Sequence, residues 1–176
     1  MSEVGPVAAS RSRSIELPTR RATMALARAL AAELSPADVV LLDGELGVGK
    51  TFLARALLRG LGLPAVIAVP SPTFTLMNEY PRELGVRVPV VHADLYRVRA
   101  DDAQGALLET VAELGLRERR VEGWALLVEW AGEAPEAFGG DVLSIRLARV
   151  DMGRRATLVA SGPRAAMLLG SAARVG

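Results

Sequence analysis

From Thr19 to Leu34 the apolar positions Ala22, Leu26, Ala29, Leu30 and Leu34 recur at helical spacing. This predicts a first helix with Thr19 as its cap and Pro36 just beyond its end. "VVLLD" (39–43) predicts a short strand; a glycine-rich turn follows, and "KTFLARALLRGLGL" resumes the helical period and closes at Gly62. "AVIAV" (65–69) and "FTLMNEY" (74–80), separated by "PSPT", read as strands, as does "VRVPVVHADLY" (86–96). Residues 101–120 read as helical, "WALLVEW" (124–130) as a fully buried strand, and "VLSIRLARV" with "RRATLVA" as a closing hairpin. Helices alternating with apolar strands predict an α/β fold, mostly parallel, with the antiparallel hairpin at one edge.

Residues 1–14 are rich in Ser, Arg, Ala and Gly without period and read as a disordered leader. Residues 15–162 form the expected domain, and 163–176 a C-terminal helix or tail. An apolar fraction of 51% and a mean hydropathy of +0.28 support a single globular core. With 21 basic against 20 acidic residues, no general basic field is available to hold nucleic acid, so RNA contact is expected to be local or delegated to a partner. The absence of cysteine removes disulfides, thiol catalysis and thiolate metal sites, and a single histidine argues against a histidine zinc site. Oxygen-ligated magnesium stays open. No apolar run reaches the roughly 18 residues of a membrane span, and the expectation is a soluble cytoplasmic protein.

The chain has one lysine, and it falls at the end of "LLDGELGVGKT". Gly44-x-x-x-x-Gly49-Lys50-Thr51 fits the phosphate-binding loop motif, and each residue type has a reason. Glycines at 44, 47 and 49 permit the backbone angles that turn loop N–H groups inward onto phosphate oxygens, and the following helix directs its positive end at the same place. A compact ammonium at Lys50 reaches the β- and γ-phosphates where a planar guanidinium is too wide. Thr51 offers a hydroxyl to magnesium. A dinucleotide fingerprint fails, because its register from Gly47 and Gly49 puts Phe at 52. Guanine readout of the Asn/Thr-Lys-x-Asp kind fails as well, since the only lysine is already committed. ATP with Mg2+ is the expected cofactor, and the expected fold is a three-layer P-loop NTPase-like sandwich.

Two acids close apolar strands and are candidates for the remaining chemistry. Glu129 ends "WALLVE" and suits a magnesium ligand; Asp94 ends "VPVVHAD". Lys50, Asp94 and Glu129 are the candidate catalytic residues, with Thr51 and Glu129 as metal ligands. His92 reads as a packed strand residue sooner than a catalyst, and Trp124, Trp130 and Tyr96 as core or pocket walls. "LRERR" (116–120) reads as a charged solvated helix end, although as a phosphate-clamping lid it would suit a small-molecule kinase. A nucleotide-gated interaction module is the other alternative.

"GELGVGKT", "SPTFTLMNEY", "HADLYR" and "LLVEW", in that order, resemble the bacterial TsaE (YjeE) family, the ATPase component of the machinery that makes threonylcarbamoyladenosine in tRNA. The resemblance covers about residues 15–160. It implies ATP hydrolysis alongside TsaB and TsaD, tRNA being met through that complex, and modification of the adenosine next to the anticodon; because "PSPTFTLMNEY" offers no arginine finger, hydrolysis by the chain alone is expected to be slow. It implies a nucleotide site at Gly44, Glu45, Leu46, Gly47, Val48, Gly49, Lys50, Thr51 and Phe52, with Thr19 and Arg154 contacting the nucleotide from outside the loop. Ser71, Pro72 and Thr73 match the family's switch-like loop, and Asp94 its His-x-Asp-Leu-Tyr-Arg acid. Residues 97–123 are longer than the usual segment and lack its acidic "PEELE" run; the leader and tail have no clear counterpart.

Overall fold

In the computed structural model the residues described are 11–99, 104–132 and 134–175. The strands are β1 (Arg11–Leu17), β2 (Val39–Gly44), β3 (Met77–Tyr80), β4 (Val90–Asp94), β5 (Ala125–Glu129), β6 (Leu143–Val150) and β7 (Gly153–Ala160). The helices are α1 (Arg20–Glu33), α2 (Lys50–Gly60), α3 (Tyr96–Arg99), α4 (Gln104–Glu113), α5 (Leu116–Val121) and α6 (Pro163–Ala172). All seven strands join one mixed sheet in the order β1-β7-β6-β2-β5-β4-β3. β6, β2, β5 and β4 run parallel, and antiparallel neighbours flank them at both edges. The expected single antiparallel edge is therefore corrected to two, with β3 closing the far side.

Strand alternation divides the core between the two faces. Val40, Leu42, Ala125, Leu127 and Ile145 pack with Leu26 and Leu30 of α1, Leu53 and Leu57 of α2, and Leu168 of α6. Val39, Leu41, Leu126 and Val128 pack on the other side with Val111 of α4 and Leu116 of α5. Helices thus cover the central strands on both faces, as near-continuous apolar strands require. α6 belongs to the same core: Ser171 Oγ donates to Ala29 O at 2.7 Å, and the Arg164 guanidinium bridges Glu33 and the buried Asp38.

Three expectations from the sequence are corrected. Residues 11–14, assigned to the leader, are strand: β1 pairs with β7 along its whole length, and Ile15 and Leu17 enter the core. Residues 1–10 of that leader lie outside the described residues. The strand expected at 65–69 does not form. Pro64 and Pro70 bracket it, and three of its carbonyls accept from arginines of α2: Arg59 donates to Ala65 O and Ile67 O, and Arg55 to Val69 O. With the acceptors satisfied from a helix, no ladder is needed. The helix expected at 101–120 is two, broken at Gly115 with φ 62; 101–103 lie outside the described residues.

Candidate functional site

The C-terminal ends of the parallel strands, where open α/β sheets place ligands, bring the candidate residues to one edge. β2 ends at Gly44, and the loop to α2 turns on Gly44, Gly47 and Gly49 with φ 134, 72 and 115. Gly49 caps α2, so Lys50 and Thr51 occupy its first turn. Asp94 and Glu129 are register partners at the ends of β4 and β5.

Lys50 is 4% exposed, and its Nζ donates to Gly44 O at 2.7 Å and Glu45 O at 2.9 Å. The ammonium also lies 3.5 Å from the centre of the Trp130 ring. Trp130 holds φ 62, a rare value for a bulky residue, with its N–H donated to Leu42 O at 2.8 Å. Thr51 Oγ1 donates to Glu129 Oε2 at 2.9 Å, and the other carboxylate oxygen meets His92 Nε2 at 2.8 Å. Asp94 is held from a different direction. Its Oδ2 accepts from Thr73 Oγ1 at 2.7 Å and Ser71 Oγ at 3.2 Å, and its Oδ1 from the Tyr96 N–H at 2.9 Å.

These groups line a cavity of about 260 Å³ bounded by Leu46, Gly47 and Gly49 of the loop and by Lys50, Thr51 and Phe52 of α2. Ser71, Thr73, Asp94, Glu129, Tyr96 and Trp130 complete it, the last two rings 4.9 Å apart. Val48 is buried beneath the loop, and Arg154 Nε donates to its carbonyl, so Arg154 reaches the loop from β7. Thr19 is not among the lining residues; it caps α1, accepting from Ala22 N at 3.2 Å. The "LRERR" arginines face away from the cavity, against the lid reading, while Arg117 and Glu118 stay exposed as the solvated-end reading expects. Arg117 serves Ala137 O and Glu136 O, Arg120 serves Ala37 O and Gly140 O, and Arg119 pairs with Glu79.

The donor set suits magnesium better than a transition metal: one hydroxyl and one carboxylate from facing elements, both hard oxygens, with room for phosphate and water ligands. No group of three His, Asp or Glu capable of holding an ion by itself occurs among the described residues.

The model of the family described as threonylcarbamoyl adenosine biosynthesis protein TsaE matches residues 17–157. The chain belongs to the TsaE family. The tRNA threonylcarbamoyladenosine biosynthesis protein TsaE of Bacillus subtilis is 37% identical over 147 residues, 83% of this chain and 84% of that one. The namesake from Streptomyces coelicolor is 36% identical over 144 residues, 79% and 90% of the two chains. The crystal structure of Bacillus subtilis YdiB superposes with a TM-score of 0.70 at 31% identity, covering 94% of this chain and 95% of that one. The TsaE family is tied to tRNA threonylcarbamoyladenosine biosynthesis, and every motif the site uses lies within the matched span.

What the residue-level reading of this TsaE-family chain missed is the part of His92. Wholly buried, it is joined to Glu129 and not merely packed. Its position two before Asp94 on one strand was the available signal, since residues i and i+2 share a face.

Proposed function

We propose that this chain binds ATP with magnesium, hydrolyses it slowly by itself, and supports formation of the threonylcarbamoyl group on the adenosine next to the anticodon of tRNA. In this reading it works in the cytoplasm with TsaB and TsaD homologues, and meets tRNA through their complex. One observation carries the nucleotide half: the glycine loop, Lys50, the Thr51–Glu129 pair and Asp94 converge on a single cavity. Family membership supports the pathway half, and the loop's place between β2 and α2 supports a P-loop NTPase-like sandwich.

Each residue has a distinct task. The loop N–H groups and the N-terminal end of α2 would receive phosphate oxygens. Lys50 would exchange its carbonyl partners for the β- and γ-phosphates, and the Trp130 face keeps that ammonium over the cavity meanwhile. Thr51 and Glu129 would hold magnesium, which would supply neutralisation of phosphate charge. Asp94, oriented by Ser71 and Thr73, is the acid outside that pair and would position the attacking water. The kinase alternative loses its sequence support, because the arginines offered as a lid are spent on carbonyls and Glu79.

The test is reconstituted tRNA modification with TsaB and TsaD homologues, with and without this chain, read by nucleoside analysis. Repeated modification only when the chain and ATP are both present is expected. Equal modification without the chain would overturn the pathway reading, and failure of ATP to bind the isolated chain would overturn the nucleotide reading.

A further inference from the structure

Two buried side-chain atoms lack a hydrogen-bond partner among the described residues: Asn78 Nδ2 and His92 Nδ1. Buried polar atoms are seldom left so, and each instance calls for an explanation. These two are not scattered. Asn78 and His92 are direct register partners across the antiparallel β3–β4 pair, and directly opposed residues project from the same face. That face is the α2 side, because the next same-face pair along the strands, Tyr80 and Val90, packs in the core beneath α1 and α2.

The chemistry of the two atoms is complementary. Glu129 is a carboxylate acceptor, so His92 serves it best as the neutral tautomer with the hydrogen on Nε2, which leaves Nδ1 an acceptor. The amide nitrogen of Asn78 is a donor. On its other side, Asn78 Oδ1 accepts from Thr75 Oγ1 at 3.2 Å, and Thr75 closes the segment whose Ser71 and Thr73 hold Asp94. A donor and an acceptor, neither with a partner at full hydrogen-bond geometry, thus occupy opposed register positions between the 71–75 segment and the Thr51–Glu129 pair.

We propose that Asn78 and His92 are positioning residues for Glu129: the Asn78 amide donates to His92 Nδ1 in the nucleotide-loaded protein, locks the Nε2–H onto Glu129, and so couples the 71–75 segment to the Thr51–Glu129 pair. The chain of contacts is Thr75–Asn78–His92–Glu129–Thr51, and only the Asn78–His92 link is open in the structure. β3, a four-residue strand at the sheet edge paired with β4 alone, is the element whose adjustment would close it. A carboxylate restrained at both oxygens presents one orientation to a cation, whereas an unsupported one must be ordered when the ion arrives. The proposal rests on the magnesium-nucleotide reading of the site.

The rival use of the Asn78 amide is the Tyr80 hydroxyl, two residues along the same face. Burial lifts the Tyr80 pKa, while a side-chain hydrogen-bonding contact with Asn78 and the charges of Arg59 and Arg55 draw it back in part. A Tyr80→Phe control separates the two uses.

Two measurements test the link. The chain has a single histidine, so its imidazole nitrogens are assigned in 15N spectra without ambiguity. In the wild type the Nε2–H tautomer is expected throughout, with the Nδ1 resonance moving upfield when Mg2+ and a non-hydrolysable ATP analogue are added. That shift should vanish in Asn78→Leu and persist in Tyr80→Phe. Separately, the gain in analogue affinity brought by Mg2+ over EDTA should fall about tenfold in Asn78→Leu and in His92→Leu. His92→Gln, which keeps a donor toward Glu129, should recover part of it. Because one chain of contacts is being cut, the double variant Asn78→Leu/His92→Leu should lose no more than His92→Leu alone. If His92→Leu does not fold, His92→Gln and Asn78→Leu still decide the matter. An unmoved Nδ1 resonance, or an Asn78→Leu protein with the wild-type magnesium gain, would overturn the proposal while leaving the site reading intact. A wild type that binds no nucleotide would overturn both.

Discussion

Asp94 and Glu129 stand side by side at the ends of β4 and β5, yet their carboxylates share no hydrogen-bond donor among the described residues. Glu129 joins Thr51 and His92; Asp94 joins Ser71, Thr73 and the Tyr96 N–H. Two acids a strand apart are thereby wired to different segments, which is the arrangement expected if one holds the ion and the other handles water.

That separation predicts a split between variants. Glu129→Gln should weaken the magnesium-dependent part of ATP affinity, since a neutral amide is a poorer ligand for a hard dication. Asp94→Asn should bind Mg·ATP nearly as the wild type does and lose turnover. ATP titration with magnesium and with EDTA, beside single-turnover hydrolysis, checks both, and the reverse pattern would mean that the roles are swapped.

Lys50→Arg should be nearly as damaging as Lys50→Ala, with ATP affinities within roughly threefold of each other. Lys50 is 4% exposed, and its ammonium sits between two loop carbonyls and the Trp130 ring, a space that a rigid guanidinium fork overfills. Quenching of Trp130 fluorescence during titration reports the affinity. Wild-type binding by Lys50→Arg would refute the role of the loop.

Among the described residues no arginine lines the cavity, and a supplied arginine finger is commonly worth about 10³ or more in rate. The isolated chain should therefore turn over ATP well below about 10 s⁻¹, the median for enzymes in general. Steady-state phosphate release measures it, and addition of TsaB and TsaD homologues should raise it.

Glycines in and away from the loop should respond oppositely to alanine. At Gly44 φ is 134 and a methyl would fall 2.2 Å from Leu147 O, a backbone atom that cannot swing aside. Gly44→Ala should cost about 3 kcal/mol or more. Gly170 lies in α6, where an added methyl would meet nothing within 4 Å, so Gly170→Ala should stabilise by about 0.5–1 kcal/mol. Urea unfolding curves of the two variants decide.

Local chemistry made much of this protein legible from its residues. The phosphate loop, the helix that follows it and the two acidic strand ends depend on contiguous signals: glycine spacing, helical period, and apolar runs closed by a carboxylate. Such signals carry their own geometry: the glycine loop joins β2 to α2, Lys50 and Thr51 open α2, and Asp94 and Glu129 end β4 and β5. Other features depended on residues far apart in the chain. The first four residues of β1 are polar enough to read as a leader, and they become strand because β7, some 140 residues later, offers an unpaired edge. "AVIAV" has the composition of a strand, and it stays out of the sheet because Arg55 and Arg59 of α2 satisfy its carbonyls first. His92 acquires its part from Glu129, 37 residues away, through the parallel pairing of β4 and β5. Propensity and period act within a few residues, whereas competition for hydrogen-bond partners and strand edges is settled only when the chain has folded.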